Sequence, residues 1–269
     1  MNIKYVAGAL ITFPLLPLIY LHGKRIKKRV PRLPEATGTQ GISAGGDLTS
    51  HHLLFIGEST IAGVGVATHK EGFCGTLADI LAEKLQSNIS WKVYARSGYT
   101  ARRIVEKTLP RIEESTADLI VIGLGGNDAF TLNSPRKWGQ HIRSLLVELK
   151  KRFGETPIVF INMPPIKAFP AFTPLIKFSI GNLVEILGER LRETIKEYDH
   201  VYYCDRKIKV DDWIFRLEPT TTVTDFFSDG VHPSRLAYQT WAKDTVSIIV
   251  ENVESIKRDK LQADESIQC

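Results

Sequence analysis

Short apolar runs alternate with longer stretches of helical character along most of the chain, and this alternation limits the folds that the sequence can adopt. The runs rich in β-branched and aromatic residues predict strands at residues 53–56, 91–95, 119–124, 158–162 and 201–204. The stretches between and after them predict helices at about residues 75–86, 101–114, 135–153, 180–198 and 234–256. Strands that alternate with helices form a parallel sheet covered on both faces. The sequence therefore predicts an α/β fold, a three-layer α/β/α sandwich with a five-stranded parallel sheet.

A serine follows the first predicted strand. Gly57, Glu58 and Ser59 come directly after the apolar run, so the strand delivers a hydroxyl to the carboxyl edge of the sheet. Ligands of open α/β sheets bind at this edge. Taken alone, a serine after a strand is more often the cap of the next helix. Its significance depends on whether other loops at the same edge supply a base, a carboxylate and hydrogen-bond donors.

Three other loops at the predicted edge carry such groups. Gly98 lies in the loop after the second strand, and Asn127 follows two glycines after the third. Near the end of the chain, Asp229 and His232 stand three residues apart, directly before the last predicted helix. Because the carboxyl ends of parallel strands share one edge, these loops are expected beside Ser59.

These residue types match the requirements of acyl transfer by a serine. The reaction needs a base for the hydroxyl proton, a carboxylate that orients the base, and donors for the tetrahedral oxyanion. His232 would serve as the base, and Asp229 would orient it and stabilise the imidazolium. The side-chain amide of Asn127 and the backbone N–H groups of Ser59 and Gly98 would form the oxyanion hole.

The four blocks, in this order, resemble the SGNH hydrolases, also called the GDSL esterase/lipase superfamily. The resemblance covers about residues 53–241 and rests on Gly57-Glu58-Ser59, Gly98, Gly125-Gly126-Asn127-Asp128 and Asp229-Gly230-Val231-His232-Pro233. The resemblance implies a flavodoxin-like sandwich. It also implies that Ser59, Gly98, Asn127 and His232 take the four roles from which the family is named. Asp229 would complete the catalytic triad.

Glu58 departs from the family's usual Gly-Asp-Ser motif. Glutamate is one methylene longer than aspartate, so the hydrogen bonds of this turn must be rearranged, and the sequence assigns Glu58 no role. The surrounding pattern also differs from the Gly-x-Ser-x-Gly elbow of α/β-hydrolases, because Ile61 stands where that motif requires glycine.

Several other classes of site and partner are not expected. The net charge of +5 comes mainly from one basic segment, so nucleic acid is not an expected partner. Cys74, Cys204 and Cys269 show neither metal spacing nor a disulfide framework. No Walker A motif is present, and Asp128 occupies the place of the third glycine of a dinucleotide fingerprint. We therefore expect neither a cofactor nor a metal.

The N-terminal segment predicts a membrane anchor. Residues 3–21 are apolar except for Lys4 and Thr12, and a helix of this length nearly crosses a hydrocarbon core of ~30 Å. Pro14 and Pro17 would kink it, and a helix that lies in the membrane interface is the alternative. The basic cluster at 24–32 favours a catalytic domain on the cytoplasmic face, with a periplasmic or other extracytoplasmic location as the alternative.

The predicted organisation follows from these segments. Residues 1–23 form the anchor, 24–50 a basic segment and linker, 51–256 the hydrolase domain and 257–269 a polar tail.

Aromatic residues near the predicted edge indicate an apolar substrate. Phe169 and Phe172 lie in a proline-rich insertion after the fourth strand, and Phe226 and Phe227 precede Asp229. They are expected to line an acyl-binding cavity, although the insertion could instead pack on the core or on the anchor. The substrate would be a hydrophobic or lipid-derived carboxylic ester, cleaved by an enzyme of the carboxylesterase, lysophospholipase or thioesterase type.

Other roles are left open for three arginines, and two other functions are left open for the protein. Arg96, Arg102 and Arg103 could meet an anionic head group or be solvated helix residues. A non-catalytic module that binds lipid or glycan on the same fold is the alternative function. Binding of a flavin or nucleotide would need a phosphate site that these loops do not supply.

Overall fold

A six-stranded sheet forms the centre of the computed structural model, which describes residues 3–46, 50–253 and 256. The strands are β1 (Gln40–Ser43), β2 (Ser50–Gly57), β3 (Asn88–Ala95), β4 (Leu119–Gly123), β5 (Ile158–Phe160) and β6 (Val201–Tyr203). They lie in the order β1-β3-β2-β4-β5-β6. Strands β2 to β6 are parallel, and β1 pairs antiparallel with β3 at the edge. The predicted α/β sandwich is confirmed, with one strand more than the five predicted.

The additional strand β1 lies in the segment that was predicted to be a linker, so that prediction is wrong for Gln40–Ser43. The sequence of this strand shows no alternation of apolar residues. In the structure its apolar residue, Ile42, is 72% exposed, whereas the polar Ser43 is buried. The strand packs through Gly41, where a Cβ would lie 2.5 Å from the ring of Trp91. The preceding residues are also fixed, since Ala36 N–H donates to the carbonyl of Ala62 at 2.9 Å.

Nine α-helices occur within the described residues. They are α1 (Ile3–Thr12), α2 (Leu16–Arg29), α3 (Phe73–Leu85), α4 (Ala101–Arg103), α5 (Gly126–Phe130), α6 (Pro135–Phe153), α7 (Pro174–Ile195), α8 (Val210–Phe215) and α9 (Arg235–Asn252). The helix predicted at 101–114 is broken, because a π-helical turn follows α4 and Pro110 then lies in a 3₁₀ turn ending at Arg111. Helix α7 begins six residues earlier than predicted, with the side chain of Thr173 accepting a hydrogen bond from Ile176 N–H.

The two faces of the sheet bury separate apolar layers. On β2, Leu54 and Ile56 face the layer of α4, α6 and α7, whereas Leu53 and Phe55 face the layer of α3 and α9. This alternation explains why the strand is apolar at every position from 53 to 56, since both of its faces are covered. The layers hold the carboxyl ends of the strands, and hence the loops that follow them, in fixed positions.

The N-terminal helices pack along α7. Together, Ile3–Arg29 form a helical segment of 27 residues that is long and apolar enough to cross a membrane. Lys4 Nζ lies 2.6 Å from Glu189 Oε1, and His22 Nδ1 lies 2.9 Å from Thr173 Oγ1. Ile19 is buried between these contacts. The exposed large apolar side chains of the segment are Ile3, Leu10, Ile11, Phe13, Leu18, Tyr20 and Leu21. The predicted tail at 257–269 lies outside the described residues.

Candidate active site

Ser59 lies in a turn directly after β2. The turn begins with a hydrogen bond from Glu58 N–H to the carbonyl of Gly123 at 3.0 Å, which fixes it to the end of β4. The carbonyl of Ser59 then accepts a hydrogen bond from Val64 N–H at 3.1 Å. Helix α3 begins only at Phe73 and is capped by Gly72, so Ser59 is not its capping residue. Capping of the next helix therefore does not explain this serine.

Asp229 and His232 form a compact hydrogen-bonded turn. Asp229 Oδ2 lies 2.7 Å from His232 Nδ1, while Oδ1 accepts the backbone N–H groups of Val231 and His232 at 2.9 and 2.7 Å. Burial alone would raise the pKa of Asp229, but hydrogen bonds from His232 and Val231 outweigh burial and hold this pKa below its ordinary value. An ionised Asp229 fixes the proton of His232 on Nδ1 and leaves Nε2 able to accept another.

Two backbone N–H groups are free to meet a substrate. In the described part of the chain, those of Ser59 and Gly98 donate to no carbonyl or side-chain oxygen. Gly98 has a φ of +81°, a conformation that favours glycine, and a Cβ there would meet nothing within 4 Å. Backbone conformation rather than crowding therefore explains the glycine at this position.

Asn127 carries the third donor. It lies in the first turn of α5, and its Nδ2 donates to the carbonyl of Tyr99 at 3.1 Å. The side-chain amide has two N–H donors, so one remains for a ligand. The contact also fixes the amide against the loop that carries Gly98.

Two buried carboxylates hold this turn of α5, and sequence reasoning missed both roles. Glu58, which is 4% exposed, accepts the N–H groups of Gly126 and Asn127 at 2.7 and 2.9 Å. Asp128 is fully buried and accepts Ala101 N–H and Asn133 Nδ2, each at 2.8 Å. Glu58 thus connects the Ser59 turn to α5, and Asp128 connects α5 to the start of α4.

Burial changes the ionisation of both carboxyl groups. Desolvation raises the pKa of Glu58 from 4.5 to about 7, although its two backbone hydrogen bonds oppose the change. Burial also raises the pKa of Asp128 above its ordinary value, against the hydrogen bonds from Ala101 and Asn133. The only sequence signal for either role was the replacement of aspartate by Glu58, which the resemblance left without an explanation.

A small apolar cavity adjoins these groups. Its volume is about 130 Å³, and Ser59, Asn127 and His232 all contribute to its wall. Three of the predicted substrate-binding residues, Phe169, Phe226 and Phe227, line it. Phe226 is fully buried and packs against Trp213 at a ring distance of 5.5 Å, so it also belongs to the core. The arrangement places a hydroxyl, an imidazole and an amide at one apolar cavity.

The fourth predicted residue, Phe172, lines a neighbouring groove instead. Its ring lies 5.2 Å from that of Phe169, which in turn lies 5.3 Å from that of Phe227. Ala171 N–H donates to the carbonyl of Gly230 at 3.0 Å, so the insertion is attached to the turn that carries Asp229 and His232. The insertion therefore both lines the cavity and the groove and packs against the turn that carries Asp229 and His232.

The three arginines considered for a head group line neither the cavity nor the groove. Arg96 Nη1 lies 3.0 Å from Glu35 Oε2. Arg102 lies 3.8 Å from Glu106, and the guanidinium of Arg103 lies 5.7 Å from the centre of the Tyr99 ring. Among the described residues, no group of three or more His, Cys, Asp or Glu side chains could hold a metal ion.

Comparison with known proteins decides the family. A model of the GDSL-like lipase/acylhydrolase family matches residues 55–240, which include the Ser59 turn and the Asp229–His232 turn. The chain belongs to this family. The GDSL protein is therefore an ester hydrolase of the lipase/acylhydrolase kind, and the resemblance on which the sequence prediction rests is confirmed.

Individual relatives of this GDSL protein agree with the assignment. A protein of Arabidopsis thaliana named as a GDSL esterase/lipase is 28% identical in an alignment of 184 residues that covers 61% of this chain and 73% of the relative. The lipase Lip_vut3 from a goat rumen metagenome is similar in structure, with a TM-score of 0.54, 18% identity and coverage of 73% of this chain and 96% of that one. TesA gives a TM-score of 0.54 and 19% identity over 74% of this chain and 97% of its own. These structures support the fold.

Proposed function

We propose that this GDSL-family protein hydrolyses hydrophobic or lipid-derived carboxylic esters through an acyl-enzyme on Ser59. The observation that supports the proposal most is the half-buried Asp229–His232 pair, whose imidazole contributes to the same cavity wall as Ser59. A serine hydroxyl is a weak nucleophile at neutral pH and needs such a base. The free N–H groups of Ser59 and Gly98, with the amide of Asn127, supply the donors for the oxyanion.

Acylation and deacylation follow from these roles. His232 Nε2 takes the proton from Ser59 Oγ while the oxygen attacks the ester carbonyl, and the oxyanion is stabilised by the three donors. Collapse of the tetrahedral intermediate breaks the bond to the alcohol, which leaves with the proton from His232. Water then attacks the acyl-enzyme and gives a proton to His232. The acid leaves as the proton returns to Ser59 Oγ.

Replacement of Ser59 tests this function. Ser59→Ala removes the nucleophile, and we expect turnover of p-nitrophenyl butyrate to fall by at least about 10³-fold with an unchanged melting temperature. Covalent labelling by a fluorophosphonate probe should disappear in the same variant. Wild-type protein that neither hydrolyses the ester nor takes the label would favour the alternative, a non-catalytic lipid- or glycan-binding module. A series of esters and thioesters of increasing chain length then ranks the carboxylesterase, lysophospholipase and thioesterase types.

We also propose that the N-terminal segment holds the protein at a membrane, with the catalytic domain on the cytoplasmic side. The apolar exposed face of Ile3–Arg29 and the basic residues at its end support this, because basic segments favour the anionic cytoplasmic leaflet. A periplasmic or other extracytoplasmic domain is the alternative. A reporter enzyme that is active only outside the cytoplasm, fused after Cys269, should be inactive; strong activity would place the domain on the other side.

A further inference from the structure

A large groove adjoins the proposed catalytic residues and shares Phe130, Val231 and His232 with the small cavity. Its volume is about 1160 Å³, and Gly98 and His232 form part of its wall. Ligand pockets of this kind are commonly ~300–1,000 Å³, so the groove has room for more than a short acyl group. A substrate bound there would have direct access to the proposed oxyanion donor and base.

The N-terminal helix supplies one wall of the groove. Leu16 and Ile19 face it from α2, while Ile176 and Ile180 face it from α7, and Phe172 lies between these elements. The part of α2 from residue 16 to residue 27 is about 16 Å long at ~1.5 Å per residue. These side chains form an apolar surface suited to an extended acyl chain. The helix thus forms part of the groove wall.

Three cations stand along the same wall. Lys24, Lys27 and Arg32 line the groove, and no aspartate or glutamate among the described residues does so. The ion pairs formed between described residues include none of these three cations. A second groove on the protein differs, because its Lys167 and Lys207 are both paired with Glu185. Lys24 Nζ lies 5.0 Å from the centre of the Tyr20 ring, which does not neutralise its charge. The cations of the first groove are therefore not neutralised by a described carboxylate and are complementary to an anion.

The outer face of the N-terminal helix indicates where the ligand comes from. Leu10, Phe13, Leu18 and Leu21 are 49–73% exposed on the segment that docks on α7 through Lys4 and His22. A helix with one face on the protein and an exposed apolar face lies naturally in the plane of a membrane interface. The groove beneath it then opens next to lipid, and a lipid could enter it without crossing water.

We propose that this groove binds a long-chain membrane lipid ester whose head group carries a net negative charge, with the N-terminal helix as one wall. The acyl chain lies between α2 and α7, the head group lies beside Lys24, Lys27 and Arg32, and the ester carbonyl faces Gly98. The inference rests on the proposed function of Ser59, because it assigns the substrate class of that site.

The test compares two charge variants of the full-length protein in neutral-detergent micelles. Lys24→Gln/Lys27→Gln/Arg32→Gln removes the three groove cations. Arg25→Gln/Lys28→Gln/Arg29→Gln removes three cations from the same segment that do not line the groove. Both variants lose the same charge and the same general attraction to an anionic surface. The substrates are 1-palmitoyl lysophosphatidylglycerol, which is anionic, and 1-palmitoyl lysophosphatidylcholine, which is zwitterionic.

We expect the wild-type protein to prefer the anionic lipid in kcat/KM, and the groove variant to lose about tenfold of this preference, mainly through KM. The control variant should keep the wild-type preference and the wild-type turnover of p-nitrophenyl butyrate. A wild-type protein without preference would overturn the proposal. An equal loss in both variants would also overturn it, because the effect would then belong to the basic segment as a whole.

Binding separates this inference from the proposed catalytic function. Equilibrium binding of the two lysolipids is measured in the Ser59→Ala background, with each charge variant added. One outcome is that binding prefers the anionic lipid and depends on the groove cations, while the wild-type protein hydrolyses no ester. This outcome would contradict the catalytic function and support the proposed lipid-binding groove. Ester hydrolysis that depends on Ser59, without any binding preference, would support the catalytic function and contradict the groove.

Discussion

The two sides of the candidate active site are held in place by different kinds of contact. On the side of Ser59 and Asn127, the carboxylates of Glu58 and Asp128 are buried and each accepts two hydrogen bonds. On the side of the groove, α1 and α2 dock through an exposed ion pair at Lys4, a hydrogen bond at His22 and the apolar packing of Ile19. Buried charged hydrogen bonds are costly to break, whereas exposed ion pairs contribute ~0–1 kcal/mol. Under the proposed function, the comparison implies that the chemistry would depend on a rigid side and the substrate range on an adaptable one.

The largest expected effect is on the rigid side. His232→Ala removes the proposed base, and we expect kcat for p-nitrophenyl butyrate to fall by at least about 10³-fold. Steady-state kinetics and the melting temperature of the same preparation measure the effect. His200→Asn, at an exposed histidine before β6, is the control and should retain wild-type kcat. Substantial residual activity in His232→Ala would mean that another group takes the serine proton.

The second prediction concerns the position of the oxyanion donor. Glu58→Gln places an amide NH₂ group against one of the backbone N–H groups of Gly126 and Asn127, so one of the two hydrogen bonds is lost. We expect kcat to fall by up to about 100-fold, because a small displacement of a catalytic group has a large effect on the transition state. KM for the short ester should change less.

Glu58→Asp is the matched variant for this position. It keeps the carboxylate but shortens it by one methylene, to the residue that is usual in the family. An intermediate loss of kcat would show that charge and reach both matter. A wild-type kcat in Glu58→Gln would contradict the proposed positioning role.

The third prediction is a pH dependence of stability on the rigid side. Because the folded-state pKa of Glu58 is about 7 and its ordinary value is 4.5, the folded protein binds a proton here more tightly than the unfolded chain. This contribution to stability is fully present below about pH 4.5 and is lost as the pH rises through 7. Thermal unfolding between pH 5 and 8 should therefore show the advantage of wild type over Glu58→Gln decreasing with pH. A constant difference would indicate that Glu58 is already ionised throughout this range.

The smallest expected effect distinguishes the two cavities. Phe172→Leu changes the groove, whereas Phe169→Leu changes the small cavity. The centres of these two rings lie 5.2 Å apart, so each variant removes one ring of the same aromatic pair. We expect Phe172→Leu to alter kcat/KM for long-chain esters by a factor of about 3–10, and Phe169→Leu to act mainly on short-chain esters. A chain-length series from acetate to palmitate measures both. Identical profiles would show that the two cavities do not select different chain lengths.

Much of this arrangement could be predicted because its signals are local. Each strand is a short apolar run, and Ser59, Gly98, Asn127 and the Asp229–His232 pair each lie in a loop with a recognisable pattern. All five predicted strands are present with small differences in their bounds, whereas strand β1 was not predicted and the helix predicted at 101–114 is broken. A parallel sheet then brings loops that are distant in sequence to one edge.

The missed features depend on contacts between distant parts of the chain. Glu58 meets Gly126 across 68 residues, and nothing near Glu58 in the sequence identifies that partner. Strand β1 forms because Gly41 accommodates the ring of Trp91, not because its own residues alternate. The groove has its N-terminal wall because the apolar segment predicted as an anchor also packs on α7. Tertiary packing of this kind leaves little trace in local periodicity.

Asp128 has a consequence for how such an enzyme can diversify. Its carboxylate joins the start of α4, just beyond Gly98, to the helix that carries Asn127. The two proposed oxyanion donors are therefore connected by a contact to which no residue of the N-terminal helices contributes. Substitutions along α2 can then accumulate under selection for new lipids while the distance between the donors is inherited unchanged. In the proposed enzyme, changes in substrate and conservation of the chemistry would thus fall to different parts of the chain.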